Sequence, residues 1–253
     1  MLRRWMGALA LSGALAVQAF AGDELRVVLT PRSVPFSLLT ESGEMVGFNV
    51  DMARAVCAEI GRTCKLEVLP FPEIVPAVAA GRYDLGVANF LRTPERERQV
   101  AFTVPYWRST SVFVGRQGIR VEPLASLLAD TTVCAIDGSA QWSYLLARAG
   151  ASAETVRALP SNQDVLDGLG SGACPAALLP TMQVLPFMQG ERGHGLAFLG
   201  APLGEAGLGG PVHMIVRPDA PELRAAVDRA LRRLIANGEH ERAARHYFPF
   251  SIL

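Results

Sequence analysis

Lysine is almost missing from this chain of 253 residues: Lys65 is the single example, and arginine carries the remaining positive charge. We attribute that preference to compositional bias and draw no function from it. An excess of either sign is missing too, because 24 Lys and Arg residues face 24 Asp and Glu. A chain this evenly balanced lacks the basic field that gathers phosphates, which argues against a nucleic-acid partner. Histidine is scarce, with His194, His213, His240 and His246 at no metal-ligand spacing, and no C-x-x-C occurs, so neither a metal site nor a cofactor is expected. There is no G-x-S-x-G and no Ser/His/Asp set, which argues against hydrolytic chemistry. Long apolar runs are also lacking. The stretch ending at Val17 is only about 15 residues, against the roughly 20 that a membrane span requires.

That short stretch has its own meaning. Arg3 and Arg4 precede an Ala- and Leu-rich run, and Ala19-Phe20-Ala21 precedes Gly22, the pattern of a secretory signal cleaved near Ala21. No cysteine follows to carry a lipid, so a soluble exported protein is expected, without direct membrane insertion. Export permits disulfides, and the cysteines are even in number: Cys57, Cys64, Cys134 and Cys174. A Cys57–Cys64 bridge would staple a helix end to the next strand across a turn at Gly61, contributing roughly 2 to 3 kcal/mol. Cys134 and Cys174 lie in or beside two apolar strands and pair if those strands are neighbours.

From Leu25 onward, β-rich apolar runs alternate with segments of helical spacing. Runs at Leu25 to Leu29, Leu66 to Leu69 and Tyr83 to Ala88 alternate with helices at Phe48 to Ile60 and Glu73 to Ala80. The order restarts with strands at Thr132 to Ile136, Thr155 to Leu159 and Ala176 to Leu179, and helices from Gln141 and Gln163. Such alternation implies mostly parallel sheets flanked by helices, here in two α/β lobes. The expected organisation is a signal at 1–21, the first part of lobe 1 at 22–108, lobe 2 at 109–212 with hinge strands at both ends, and a return to lobe 1 at 213–253. Two crossings place a cleft between the lobes, the geometry for closure on a ligand.

The segment Thr93 to Trp107, TPERERQVAFTVPYW, supplies the candidate anchor. Thr93 suits a helix cap and Pro94 the first helical position, which fixes Arg96 in the first turn. A guanidinium held there after an apolar strand is well arranged to grip a carboxylate through two parallel hydrogen bonds. Glu73 is the one acid arguable as a catalytic group, and its place at a helix start suits a solvated role better.

These motifs, in order, resemble those of periplasmic solute-binding proteins of the amino-acid type, the type II, family 3 receptors of ABC importers. The pieces are VPF (Val34 to Phe36), GEMVGFNVDMARAV (Gly43 to Val56), FPEIVPAVAAGRYD (Phe71 to Asp84), TPERERQVAF (Thr93 to Phe102), NQDV (Asn162 to Val165) and HYFPFSI (His246 to Ile252). The Cys57 to Cys64 spacing is similar to the disulfide of the basic-amino-acid receptors. The resemblance implies a two-lobed periplasmic fold that binds an amino acid or small carboxylate, works as a monomer and delivers its ligand to an ABC permease. It places Arg96 as the carboxylate anchor and Phe71 as an aromatic wall. It puts Asn89 at a polar contact of the first lobe, and Gly138, Ser139 and Gln141 in the loop opening the second lobe's first helix. Ser33 stands where some relatives place an aromatic lid.

Departures from the pattern are informative. Pro180 occupies the position of the acid that pairs with a ligand's ammonium, while Leu91 and Ala140 replace hydroxyl residues. An ordinary α-amino acid would then lack its ammonium partner, and burying an unpaired charge costs several kcal/mol. Two other functions share the fold. PYWRSTSVFV (Pro105 to Val114) is similar to accessory proteins of periplasmic quinoprotein dehydrogenases, and some relatives are dehydratases of cyclic carboxylates.

Overall fold

The structure, a computed structural model, describes residues 24–253. The expected signal segment lies outside them. In the first lobe, strand β1 (Glu24–Leu29) leads into a small antiparallel sheet of β2 (Arg32–Ser33), β3 (Ser37–Leu39) and β4 (Met45–Val46). Helix α1 (Phe48–Glu59), β5 (Thr63–Val68), α2 (Phe71–Ala79), β6 (Leu85–Leu91), α3 (Pro94–Glu97) and β7 (Ala101–Ser109) follow. The second lobe contains β8 (Ser111–Arg116), α4 (Leu124–Asp130), β9 (Val133–Ile136), α5 (Ala140–Ala149), β10 (Val156–Leu159), α6 (Asn162–Ser171), β11 (Ala176–Pro180), α7 (Thr181–Gln189) and β12 (Leu196–Phe198). The chain then returns through β13 (Gly210–Val216), α8 (Pro221–Ala236) and α9 (Glu239–Arg245).

The two main sheets share one plan. The first has strand order β5-β1-β6-β13-β7 and the second β10-β9-β11-β8-β12. In each, three parallel strands are followed by an antiparallel strand that has just crossed from the other lobe, β13 in the first and β8 in the second. All three parallel strands of each sheet therefore direct their carboxyl ends toward the crossing, where open α/β sheets hold their ligands.

Thr110, between β7 and β8, is the first crossing. The return differs from the expected boundary. Because β13 pairs with β6 and β7 from Gly210 onward, the chain is back in the first sheet ahead of Gly210, not behind Val212.

Alternation along β1 shows how the sheet is covered on both sides. Leu25, Val27 and Leu29 pack with Phe48 and Met52 of α1 and Val227 and Leu231 of α8, whereas Val28 packs with Ile74 and Val78 of α2. The second sheet is covered likewise, by Val165 and Leu166 of α6 on one face and Leu127 and Leu145 of α4 and α5 on the other. Phe248 and Ile252 of the carboxyl-terminal tail are buried in the first lobe's core.

Both cysteine pairs are bonded. Cys57–Cys64 ties α1 to β5, and Cys134–Cys174 ties β9 to the turn before β11, its parallel neighbour. Gly168 makes room for the second bridge: a Cβ there would lie 2.6 Å from the Cys174 sulfur.

Candidate functional site

A cavity of about 260 Å³ lies between the lobes. Its walls come from the carboxyl ends of the parallel strands and the helix starts that follow them. All six residues expected at a ligand site (Ser33, Phe71, Asn89, Arg96, Ser139 and Gln141) line it.

Arg96 is held by local chemistry. The Thr93 hydroxyl accepts a hydrogen bond from the Arg96 amide at 3.3 Å, the cap that starts α3. The helix lasts a single turn before the chain extends into β7, so the side chain stays at the lobe's edge. Its guanidinium donates to the main-chain carbonyls of Leu91 at 2.9 Å and, across the cleft, Gly138 at 3.0 Å. The rings of Phe71 and Phe90, stacked on one another, lie 5.4 and 5.7 Å from the guanidinium carbon. The residue is 9% exposed, and none of its hydrogen bonds goes to a carboxylate. Desolvation pushes its pKa down to about 10, which still leaves it charged at neutral pH.

The other expected residues are brought together, with their polar atoms already engaged to differing degrees. Asn89 has a left-handed backbone at φ 61°, uncommon outside glycine. Its side-chain oxygen accepts from Asn49 Nδ2 at 3.0 Å and from the Tyr106 hydroxyl at 3.2 Å, so that atom is committed to the core. The Ser139 hydroxyl caps α5 by accepting from the Trp142 amide at 3.1 Å. Gln141 donates from Nε2 to Ser111 Oγ at 2.7 Å, which ties α5 to the crossing strand. The Ser33 hydroxyl accepts from Gln183 Nε2, a bond between lobes. Phe71 opens α2 itself, ahead of the Glu73 start expected for that helix, and Glu73 is exposed and not among the cavity's lining residues.

Sequence reasoning missed Asn162, Gln183, Arg32 and Asp164, all of which line the cavity. Asn162 lies within the NQDV motif, a signal that was available. Gln183 lies in α7, which no expectation covered; Pro180 is its N-cap and Pro186 lies inside it.

The lobes are closed on one another. Arg32 donates to Asp164 at 2.8 Å and Asp167 at 3.4 Å, spanning from the first lobe to α6. Gly138 has φ +65°, and a Cβ there would lie only 2.9 Å from Cβ of Pro72 in the other lobe. Glycine is required by the backbone and by the approach alike. Among the described residues, no cluster of His, Cys, Asp or Glu could hold a metal ion, and no helix is long and apolar enough to cross a membrane.

Two α/β lobes closed over a cavity with a buried arginine define a two-lobed solute receptor of the type II periplasmic fold. The chain belongs to the bacterial extracellular solute-binding proteins, family 3, which its residues 25–250 match. It is 30% identical to an L-arginine-binding protein of Pseudomonas aeruginosa, over 98% of this chain and 96% of that one. It is 25% identical to the histidine-binding periplasmic protein of Salmonella typhimurium, over 96% of this chain and 95% of that one. Among solved structures it is similar to an ancestral arginine-binding protein bound to arginine, with a TM-score of 0.80 and 24% identity over 89% of this chain and 98% of that one.

Proposed function

We propose that this protein is a periplasmic receptor that traps an amino acid or a related small carboxylate between its lobes and presents it to an ABC permease. The observation that carries this reading is Arg96, a buried cation on the cavity wall whose guanidinium is hydrogen-bonded to main-chain carbonyls and to no protein carboxylate. A ligand carboxylate would supply that charge by bidentate hydrogen bonding. The named ligands of the relatives, arginine and histidine, support the amino-acid class. Family membership supports the permease as partner and the periplasm as compartment. In this reading the protein binds and releases without turnover. Glu73, the acid considered for a dehydratase role, lies in solvent away from the cavity.

The test is a thermal-shift screen with amino acids and with the matching acids that lack the amino group. A ligand at about a hundred times its dissociation constant adds roughly 2.7 kcal/mol by mass action, a readily measured shift. A carboxylate that raises the melting point of the wild type, and leaves Arg96→Met unaffected, supports the reading. A shift that survives the substitution contradicts it.

A further inference from the structure

The charges on the cavity wall do not balance. Arg96 and Arg32 are its cations and Asp164 its single acid, and Asp164 is already paired with Arg32 at 2.8 Å. One positive charge, that of Arg96, is left over. A ligand bearing one negative charge neutralises the cavity. A zwitterion does not: with its carboxylate on Arg96, its ammonium would face neutral groups in a cavity already holding an unbalanced cation. A ligand with a second cationic group is worse placed still, since no free carboxylate remains for it. Isolated charges away from water are costly enough for this to decide between ligand classes.

Two unpartnered atoms add the second half of the specificity. Among the described residues, the buried oxygens Asn162 Oδ1 and Gln183 Oε1 accept no hydrogen bond, and both residues line the cavity. Asn162 is oriented by its other end: Nδ2 donates to the main-chain carbonyl of Gln183 at 3.4 Å, and a carbonyl can only accept. Gln183 spends its Nε2 on Ser33 Oγ. Buried acceptors without partners are rare in folded proteins and call for one. Neither oxygen receives a hydrogen bond from any other side chain of the wall, and Pro31, Pro70, Leu91, Ile136, Pro160 and Pro180 add only apolar surface from their side chains.

We propose that the cavity selects a monoanionic carboxylate carrying a neutral hydrogen-bond donor next to it, as in a 2-hydroxy acid, with the side-chain oxygen of Gln183 accepting the single hydrogen of that donor. The proposal rests on the reading that Arg96 receives the carboxylate, and it narrows the ligand to one without a charged amino group.

Calorimetry with matched pairs tests it: lactate against alanine, 2-hydroxy-4-methylpentanoate against leucine, and phenyllactate against phenylalanine, with arginine added as a probe that bears a second cationic group. In every skeleton that binds, the hydroxy acid is expected at least about tenfold tighter than the amino acid, and arginine weaker than either. Gln183→Glu, which places a charge at the unpartnered oxygen with little change in shape, should shift each ratio at least about tenfold toward the amino acid. An amino acid that equals or beats its hydroxy partner on the wild type overturns the proposal and needs no variant to do so. If Arg96→Met still abolishes that binding, the carboxylate reading survives. Binding that persists in Arg96→Met, or no binding by any probe, overturns both.

Discussion

Arg96 of the first lobe donates from Nη2 to the main-chain carbonyl of Gly138 in the second, 3.0 Å away. One side chain thus contacts the cavity and the opposing lobe together. A ligand that engages Arg96 stabilises the state in which this bridge forms, and a receptor closes only as far as the ligand's differential affinity for the closed state allows. Gly138 is the other half of the bridge. A Cβ there would press on Pro72 across the closed cleft. We predict that Gly138→Ala weakens ligand binding at least about tenfold, some 1.4 kcal/mol. Calorimetry paired with small-angle scattering checks this, since ligand-induced compaction should shrink with the affinity.

Arg32→Ala should act on closure more gently. The pair with Asp164 and Asp167 leaves the Arg32 side chain 46% exposed, and exposed ion pairs contribute only up to about 1 kcal/mol. The expected loss of affinity is about fivefold or less at low salt and fades as salt screens the pair. Titrations of the variant at two ionic strengths measure it.

The two disulfides should differ in weight. Cys57 and Cys64 are separated by 7 residues and Cys134 and Cys174 by 40, and the stabilisation from restricting the unfolded chain grows with loop length. Replacing the longer-range pair with serine is expected to cost about 4 kcal/mol and the shorter pair about 2.5 kcal/mol. Chemical denaturation of the two double variants gives the order directly.

Much of this architecture was legible in the chain, and the exceptions have physical causes. β1, α1, β9, β10, α6 and β11 announce themselves through runs of apolar residues at strand or helix period. Arg96 announced itself through its cap at Thr93. β7 was obscured because PERER extends the helical start at Thr93, although only Pro94–Glu97 is helical before the chain becomes a long strand. α7 has Pro186 in its interior, where proline is disfavoured, so helical spacing does not announce it. The cavity partners Arg32 and Asp164 come together across 132 positions of sequence, and no local pattern encodes that pairing. Asn89 was expected to offer the ligand a polar contact, yet its side-chain oxygen is taken by Asn49 and Tyr106. Only the packing reveals that commitment.

Stability should fall in mild acid. His213 and His240 are both held below the ordinary value of 6.5, in each case first by desolvation. Thr103 O accepts from His213 Nδ1 at 2.7 Å and Tyr106 O accepts from His240 Nε2, fixing each ring's neutral tautomer. In the unfolded chain these rings gain a proton at higher pH than in the fold. Their contribution is therefore present above pH 6.5 and is lost as pH falls from there through the lower folded values. Melting points taken from about pH 7 to about pH 5 should decline, and a flat profile contradicts this assignment.

The central claim is that Arg96 is the charge on which a ligand carboxylate closes the lobes. The most direct measurement is calorimetry of wild type and Arg96→Met with the same carboxylate, each variant's fold being verified by circular dichroism. Losing one partner of a buried, hydrogen-bonded charge pair costs about 2 to 5 kcal/mol, so affinity should drop at least about thirtyfold while the fold persists. Undiminished binding to a folded Arg96→Met protein would contradict the account.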